Sequence, residues 1–259
     1  MKVLIALAAL LIVGCSTGEK KGLNMPGAYQ MISQSIKGDQ VDTTYTSIRQ
    51  LKIFTDKYVM YCNVNVQDST SSFGFGTYKV DMDTVREDIL FTSNDTVRNE
   101  TERNYQLTIE KDEKGFSQII PAITFGTQTV RLTEKYESVG TAAKSDLDGA
   151  WKLTKVYMIN GSDTATDNRI QYKAYYAGYC IWGNSFTDSL NINRTGIGFG
   201  KFEMEGKNKV KEKMQVSSYS TVSGHDFDIA IEMNGIDEFT QTITNDDGSK
   251  SVEMYQRLK

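Results

Sequence analysis

The chain has 259 residues, of which 39% are hydrophobic, 24% charged and 10% aromatic, and its formal net charge is −4. It has room for one or two domains with cores of their own, and its composition is neither disordered nor fibrous. The net negative charge leaves no electrostatic footprint for nucleic acid, and one His and three Cys exclude a His/Cys-rich structural zinc site.

Lys2 precedes an unbroken apolar run, Val3–Val13. The run matches a signal-peptide core in length and is too short to span a bilayer. It ends Ile12-Val13-Gly14-Cys15, which resembles the lipobox of bacterial lipoproteins. That resemblance implies a signal peptide over residues 1–14, cleavage before Cys15, and acyl chains such as palmitate on the new terminus. Acylation of both thiol and amino group exceeds the two signals that stable anchoring needs. The competing reading is an ordinary signal peptide with an incidental Cys. Residues 15–25 read as a polar tether. Ser16 after the Cys fits an outer-membrane destination facing the periplasm. No later hydrophobic run is long enough to cross a membrane.

The remainder repeats itself. Pro26-Gly27-Ala28-Tyr29 returns as Asp148-Gly149-Ala150-Trp151, about 120 residues later. Gln50-Leu51-Lys52-Ile53-Phe54 returns as Gln171-Tyr172-Lys173-Ala174-Tyr175. Gly74-Phe75-Gly76-Thr77-Tyr78 returns as Gly198-Phe199-Gly200-Lys201-Phe202, and Val85-Arg86-Glu87-Asp88-Ile89 as Val210-Lys211-Glu212-Lys213-Met214. Tyr105–Glu110 returns as Phe227–Glu232, and Thr129–Leu132 is matched to Ser251–Met254. Two homologous units follow, residues 26–137 and 147–259, joined by a small, polar linker over 138–146.

Both units read as β. Tyr105, Leu107 and Ile109 alternate with polar residues, as do Phe227, Ile229 and Ile231. Val130/Leu132 and Val252/Met254 give a closing strand in each unit. Asn160-Gly161, Asn234-Gly235 and Asp247-Gly248 are hairpin-turn signals. Many short antiparallel strands in each unit imply a sandwich or a small barrel, and a barrel leaves no open edge.

The Gly27-Ala28-Tyr29 and Gly149-Ala150-Trp151 openings resemble the Gly-x-Trp opening of lipocalins and related calycin barrels. The Gly-Phe-Gly-Thr-Tyr run and the stretch Asp83–Glu87 look like the lipocalin-like domains of envelope lipoproteins from gut anaerobes. The resemblance covers both units and implies an all-β fold of two tandem antiparallel lipocalin-like barrels. It also implies a floor in which a basic residue of the last strand packs on the opening aromatic, here Tyr29 with Lys135 and Trp151 with Arg257.

Glu87 and Glu212 share a strand face with aliphatics, so both are expected to point into a barrel. Each is either the anchor of a ligand headgroup or a structural carboxylate with an internal partner. Gly74/Gly76 and Gly198/Gly200 either leave ligand space beside Tyr78 and Phe202 or supply the bend of a closing barrel. The aromatic stretch Tyr172–Trp182, with Tyr175 and Tyr179, suits a binding wall or core packing. The candidate ligand contacts are therefore Tyr78, Glu87, Tyr175, Tyr179, Trp182, Phe202 and Glu212. His225 reads as an isolated loop residue. Cys62 and Cys180 sit at non-equivalent positions, as buried thiols or a cross-unit pair. No catalytic group, metal site or cofactor is expected. The expected function is a lipid-anchored envelope protein holding a small hydrophobic or amphipathic ligand. The alternatives are an interaction module with filled barrels, its protein partner unspecified, or an enzyme using Glu87 or Glu212.

Overall fold

The computed structural model describes residues 23–65, 70–93, 104–125 and 127–259. The apolar run, Cys15 and most of the tether lie outside the described residues. The first repeat holds β1 (Gly27–Gly38), β2 (Val41–Tyr45), β3 (Ile48–Phe54), β4 (Tyr58–Asn65), β5 (Thr70–Asp81), β6 (Thr84–Thr92), β7 (Asn104–Lys111), β8 (Gly115–Phe125) and β9 (Gln128–Ser138). The second holds β10 (Gly149–Asn160), β11 (Asp163–Thr166), β12 (Ile170–Tyr176), β13 (Tyr179–Thr187), β14 (Asn193–Met204), β15 (Lys209–Ser217), β16 (Asp226–Met233), β17 (Glu238–Thr244) and β18 (Lys250–Arg257). No helix occurs among the described residues.

Each repeat closes on itself. The first half of β1 pairs with β3, its second half with β2, and most of its length with β9. β2 and β3 thus act as one bent stave of an eight-stranded antiparallel barrel. β10, β11, β12 and β18 repeat the arrangement. Closure leaves no unpaired edge of the kind that invites aggregation.

Curvature comes from bulges at matched places. β1 slips register between Met31 and Ser33, and β10 between Leu153 and Lys155. β5 slips at Phe75/Gly76 and β14 at Phe199/Gly200. A Cβ on Gly76 would run into the Asp88 carbonyl, and one on Gly200 into the Lys213 carbonyl. These glycines therefore serve the bend, where the backbones of neighbouring strands approach closely. Gly74 and Gly198 have another use: the rings of Tyr61 and Trp182 lie across them.

The floors are built alike. Tyr29 donates its hydroxyl hydrogen to Met25 O at 3.0 Å, and Trp151 its indole N–H to Leu147 O at 2.8 Å. Met25 and Leu147 are completely buried, so the chain entering each barrel plugs its bottom. Arg257 lies over Trp151, with Cζ 4.0 Å from the ring centroid, and donates to Asp146 O, Asp148 O and Ile236 O. Lys135 does not take that role in the first barrel. Strand pairing sets Ser138 opposite Tyr29 and Arg257 opposite Trp151. Lys135 instead points outward to Asp112, 3.6 Å away, while Phe116 and Phe54 meet Tyr29 edge-on. The cause is a longer closing hairpin: Gln118 and Glu134 are 16 residues apart, their counterparts Gln241 and Glu253 only 12. The match of Thr129–Leu132 to Ser251–Met254 is out of register for the same reason. The inward residues of β18 are Ser251, Glu253 and Tyr255, not Val252 and Met254.

The barrels share a core. β3, β4 and β5 pack on their counterparts β12, β13 and β14. Phe75 stacks on Tyr172 at 4.2 Å, Phe73 covers Gly183, and the Cys62 thiol points to Trp182 O at 3.4 Å. Thr195 donates to Ser93 O near one end of the barrels, and Tyr58 to Lys259 O near the floors. Equivalent ends therefore lie on the same side. Cys62 and Cys180 are free, buried thiols, and burial pushes both well above the usual thiol range.

Because the junction is a continuous apolar core, the barrels are expected to unfold together. Phe75→Ala removes a ring that is 1% exposed and should cost about 3–5 kcal/mol. Calorimetry should show one transition for the parent and two for the variant.

Candidate functional site

Inside each barrel, a chain of polar side chains crosses the core. In the first, Lys52 Nζ donates to Glu87 Oε1 at 2.7 Å and to Gln118 Oε1 at 2.8 Å. Gln118 Nε2 and Tyr136 Oη donate to Glu134 Oε2 at 2.8 and 2.7 Å. Gln50 Nε2 donates to Tyr136 Oη, and Asn63 Nδ2 to Gln50 Oε1 at 3.4 Å.

The second barrel repeats the chain with the same residue types. Lys173 Nζ donates to Gln241 Oε1 at 2.9 Å and lies 3.3 Å from Glu212 Oε1. Gln241 Nε2 and Tyr255 Oη donate to Glu253 Oε2 at 2.7 and 2.5 Å. Gln171 Nε2 donates to Tyr255 Oη, and Asn184 Nδ2 to Gln171 Oε1 at 3.2 Å. All seven positions thus keep their residue identity across the duplication. Lys52 is 2% exposed and Lys173 4%. Isolated charges at such depth would be costly, and here each finds oxygens on more than one strand.

The surroundings have diverged. Tyr175 replaces Phe54 and donates to Glu212 Oε1 at 2.6 Å. The remaining oxygen of the last-strand carboxylate is met differently in the two barrels. Gln34 Nε2 donates to Glu134 Oε1 at 3.0 Å, whereas Val156 occupies the matching place and Arg169 Nη2 lies 3.4 Å from Glu253 Oε1. Arg169 takes the position of Ile48, two residues before the paired glutamines. Its buried Nε is 3.3 Å from Asp167 Oδ2 without a well-aligned hydrogen bond.

In the second barrel the network opens into a cavity of about 270 Å³. Lys173, Glu212, Gln241 and Glu253 form its polar end. Trp182, Met214, Phe227, Ile229 and Ile243 supply apolar wall, and Arg169, Tyr219 and Asn245 also border it. Among the residues expected to touch a ligand, Trp182 and Glu212 line this cavity. Tyr175 sits behind Glu212, and Phe202 packs edge-on against Tyr175 at 4.9 Å. Tyr179 belongs to the junction between barrels, with Tyr172 and Tyr176, so that aromatic stretch is largely interface. Glu87 is held by Lys52, and Tyr78 donates to Thr55 O at 2.7 Å beside Phe54. His225 is exposed, its Nδ1 3.1 Å from Ser223 O.

The Lys, Gln and Tyr of the network did not emerge as site residues from the sequence. One signal was present: Gln50/Lys52 and Gln171/Lys173 alternate on one face with Phe54 and Tyr175. The Glu-x-Tyr shared by β9 and β18 was hidden by the unequal closing hairpins.

No protein-family model and no curated protein matches the chain. Among solved structures it is similar to a DUF3598-family protein of unknown function from Nostoc punctiforme PCC 73102. The two are 12% identical with a TM-score of 0.28, over 90% of this chain and 96% of that one. At that score the likeness carries no argument. The class rests on the strand pairing: two closed eight-stranded antiparallel barrels in tandem, which fit a lipocalin-like fold.

Burial, with Glu134, Glu212 and Glu253 adding to it, pushes Tyr136, Tyr175 and Tyr255 well above the usual tyrosine range. Unfolded tyrosines lose their protons near pH 10, whereas these keep theirs in the fold. The stabilisation is therefore complete below about pH 10 and lost as pH rises beyond it. Urea midpoints should hold between pH 7 and 8, begin to fall as the unfolded thiols of Cys62 and Cys180 ionise from about pH 8.5, and fall more steeply from about pH 10 upward. Tyr255→Phe should be less stable at neutral pH yet fall less steeply. Lys52→Met strands a buried carboxylate and should cost about 3–5 kcal/mol, and adding Glu87→Leu should restore part of it.

Proposed function

We propose that the protein is a non-enzymatic binding protein of the bacterial envelope, carried on a lipid anchor at Cys15. In this reading it is anchored in the outer membrane and faces the periplasm. Its second barrel holds a small ligand with an apolar body and a polar end. The observation that carries this reading is the opening of the buried network into the Trp182-lined cavity. A polar network that only braced a core would be expected to end against packed side chains, as Lys173 does toward Tyr175. At about 270 Å³ the cavity sits just under the usual range for drug-sized ligands, which points to a small molecule.

The soluble form beginning at Ser16 tests the reading. Its native mass should exceed its denatured mass by that of a releasable compound. No excess, with no uptake from a panel of envelope lipids and aromatic metabolites, would favour a filled-barrel interaction module. The anchor is tested separately. The full chain made in a Gram-negative host should carry acyl mass on its Cys15 peptide and partition with membranes, and Cys15→Ser should do neither.

A further inference from the structure

We propose that the second barrel's cavity takes an uncharged, ring-shaped solute whose polar end enters first, and that it discriminates against fatty-acid anions. This rests on the binding reading above and specifies its ligand. The first argument is charge. Lys173 Nζ faces three oxygens: Tyr175 Oη at 3.2 Å, Glu212 Oε1 at 3.3 Å and Gln241 Oε1 at 2.9 Å. An ammonium has three N–H groups, so none is left for a ligand. Arg169 is ion-paired with both Asp167 and Glu253, which offsets its charge, although its buried Nε–H has no aligned acceptor. An entering carboxylate would therefore meet two carboxylates whose cations are already paired. It would lose its hydration without gaining a counter-ion. A ligand cation would have to break the same pairs. Hydroxyl and amide groups fit better, because Gln171, Asn184 and Gln241 each spend one N–H in the network and keep a second.

The second argument is shape. Trp182 lies flat over Gly198, and Tyr219 over Gly196, where a Cβ on either glycine would collide with the ring. The two ring planes are within 18° of parallel, with centroids 6.1 Å apart, so both rings cover the glycine face of β14. Among the described residues, the first barrel has half of this device, Tyr61 over Gly74. Ser72 stands where Gly196 would be, and its hydroxyl donates to Asn63. The second barrel thus sets two aromatic rings beside its amides. Such rings favour a ring face over a flexible acyl chain.

The chain has two tryptophans, and Trp151 is sealed in the floor, so cavity occupancy is read by Trp182 fluorescence. The soluble chain is titrated with phenyl β-D-glucoside as the uncharged ring and with decanoate as the anion. The glucoside should change the emission saturably, decanoate should not, and Trp182→Phe should abolish the response. Tyr219→Leu, at the rim, should weaken glucoside binding about three- to tenfold with melting temperature retained. Decanoate binding that is tighter than the glucoside's and read by Trp182 would overturn this inference and leave the binding reading standing. Silence from both probes, together with no co-purified mass, would overturn both.

Discussion

An ammonium buried inside a barrel must be met by oxygens brought from several strands at once, and Lys52 and Lys173 are met in this way. Lys52 on β3 reaches Glu87 on β6 and Gln118 on β8, and Gln118 passes the contact to Glu134 on β9. Those links cross the barrel interior, where no backbone ladder runs. They fix which residue of each strand faces inward, because a one-residue slip would send Lys, Glu or Gln to the outer face. An aliphatic core would fill the same space but specify the register less sharply. Keeping seven residues through the duplication, while the faces around them changed, fits that constraint.

What changed around the network distinguishes the two barrels. Phe54 became Tyr175, Ile48 became Arg169, Tyr61 became Trp182, and Gln34 gave way to Val156. The direction of these exchanges need not be known to see their effect. One barrel meets its last carboxylate oxygen with an amide from β1, and the other with the Ser251 hydroxyl and the nearby guanidinium of Arg169. In the second, the freed wall is aromatic and opens to the cavity. The junction between barrels uses the remaining aromatics: Phe75 and Tyr172 give their ring faces to each other, so they leave little apolar surface to solvent there.

Much of the fold was legible in the sequence. Period-two alternation in Val85–Ile89 and Val210–Met214 placed both glutamates inside, where they are 3% and 4% exposed. Collinear repeats gave two barrels rather than one large sheet. The closing strand was misread because the β8–β9 hairpin has longer arms than β17–β18, with a bulge between Ile120 and Ile123, and neither leaves a mark in hydrophobic spacing. That slip moved Lys135 onto a role that strand pairing gives to Ser138's position. The network was harder to see. A Lys and a Gln on β3 and a Gln on β8 read as solvent-facing by type, and only three-dimensional closure brings their partners from strands far along the chain. Tyr179 was misassigned because an aromatic run suits a ligand wall and a protein junction equally well.

Each barrel is organised around a buried lysine held by oxygens from several strands, and nitrogen-15 NMR of the lysine ammonium groups reads this directly. At neutral pH, Lys52 and Lys173 should give ammonium signals whose protons exchange slowly with water. Exposed lysines such as Lys207 should be lost to rapid exchange. Exchange at Lys52 and Lys173 as fast as at Lys207 would contradict the account.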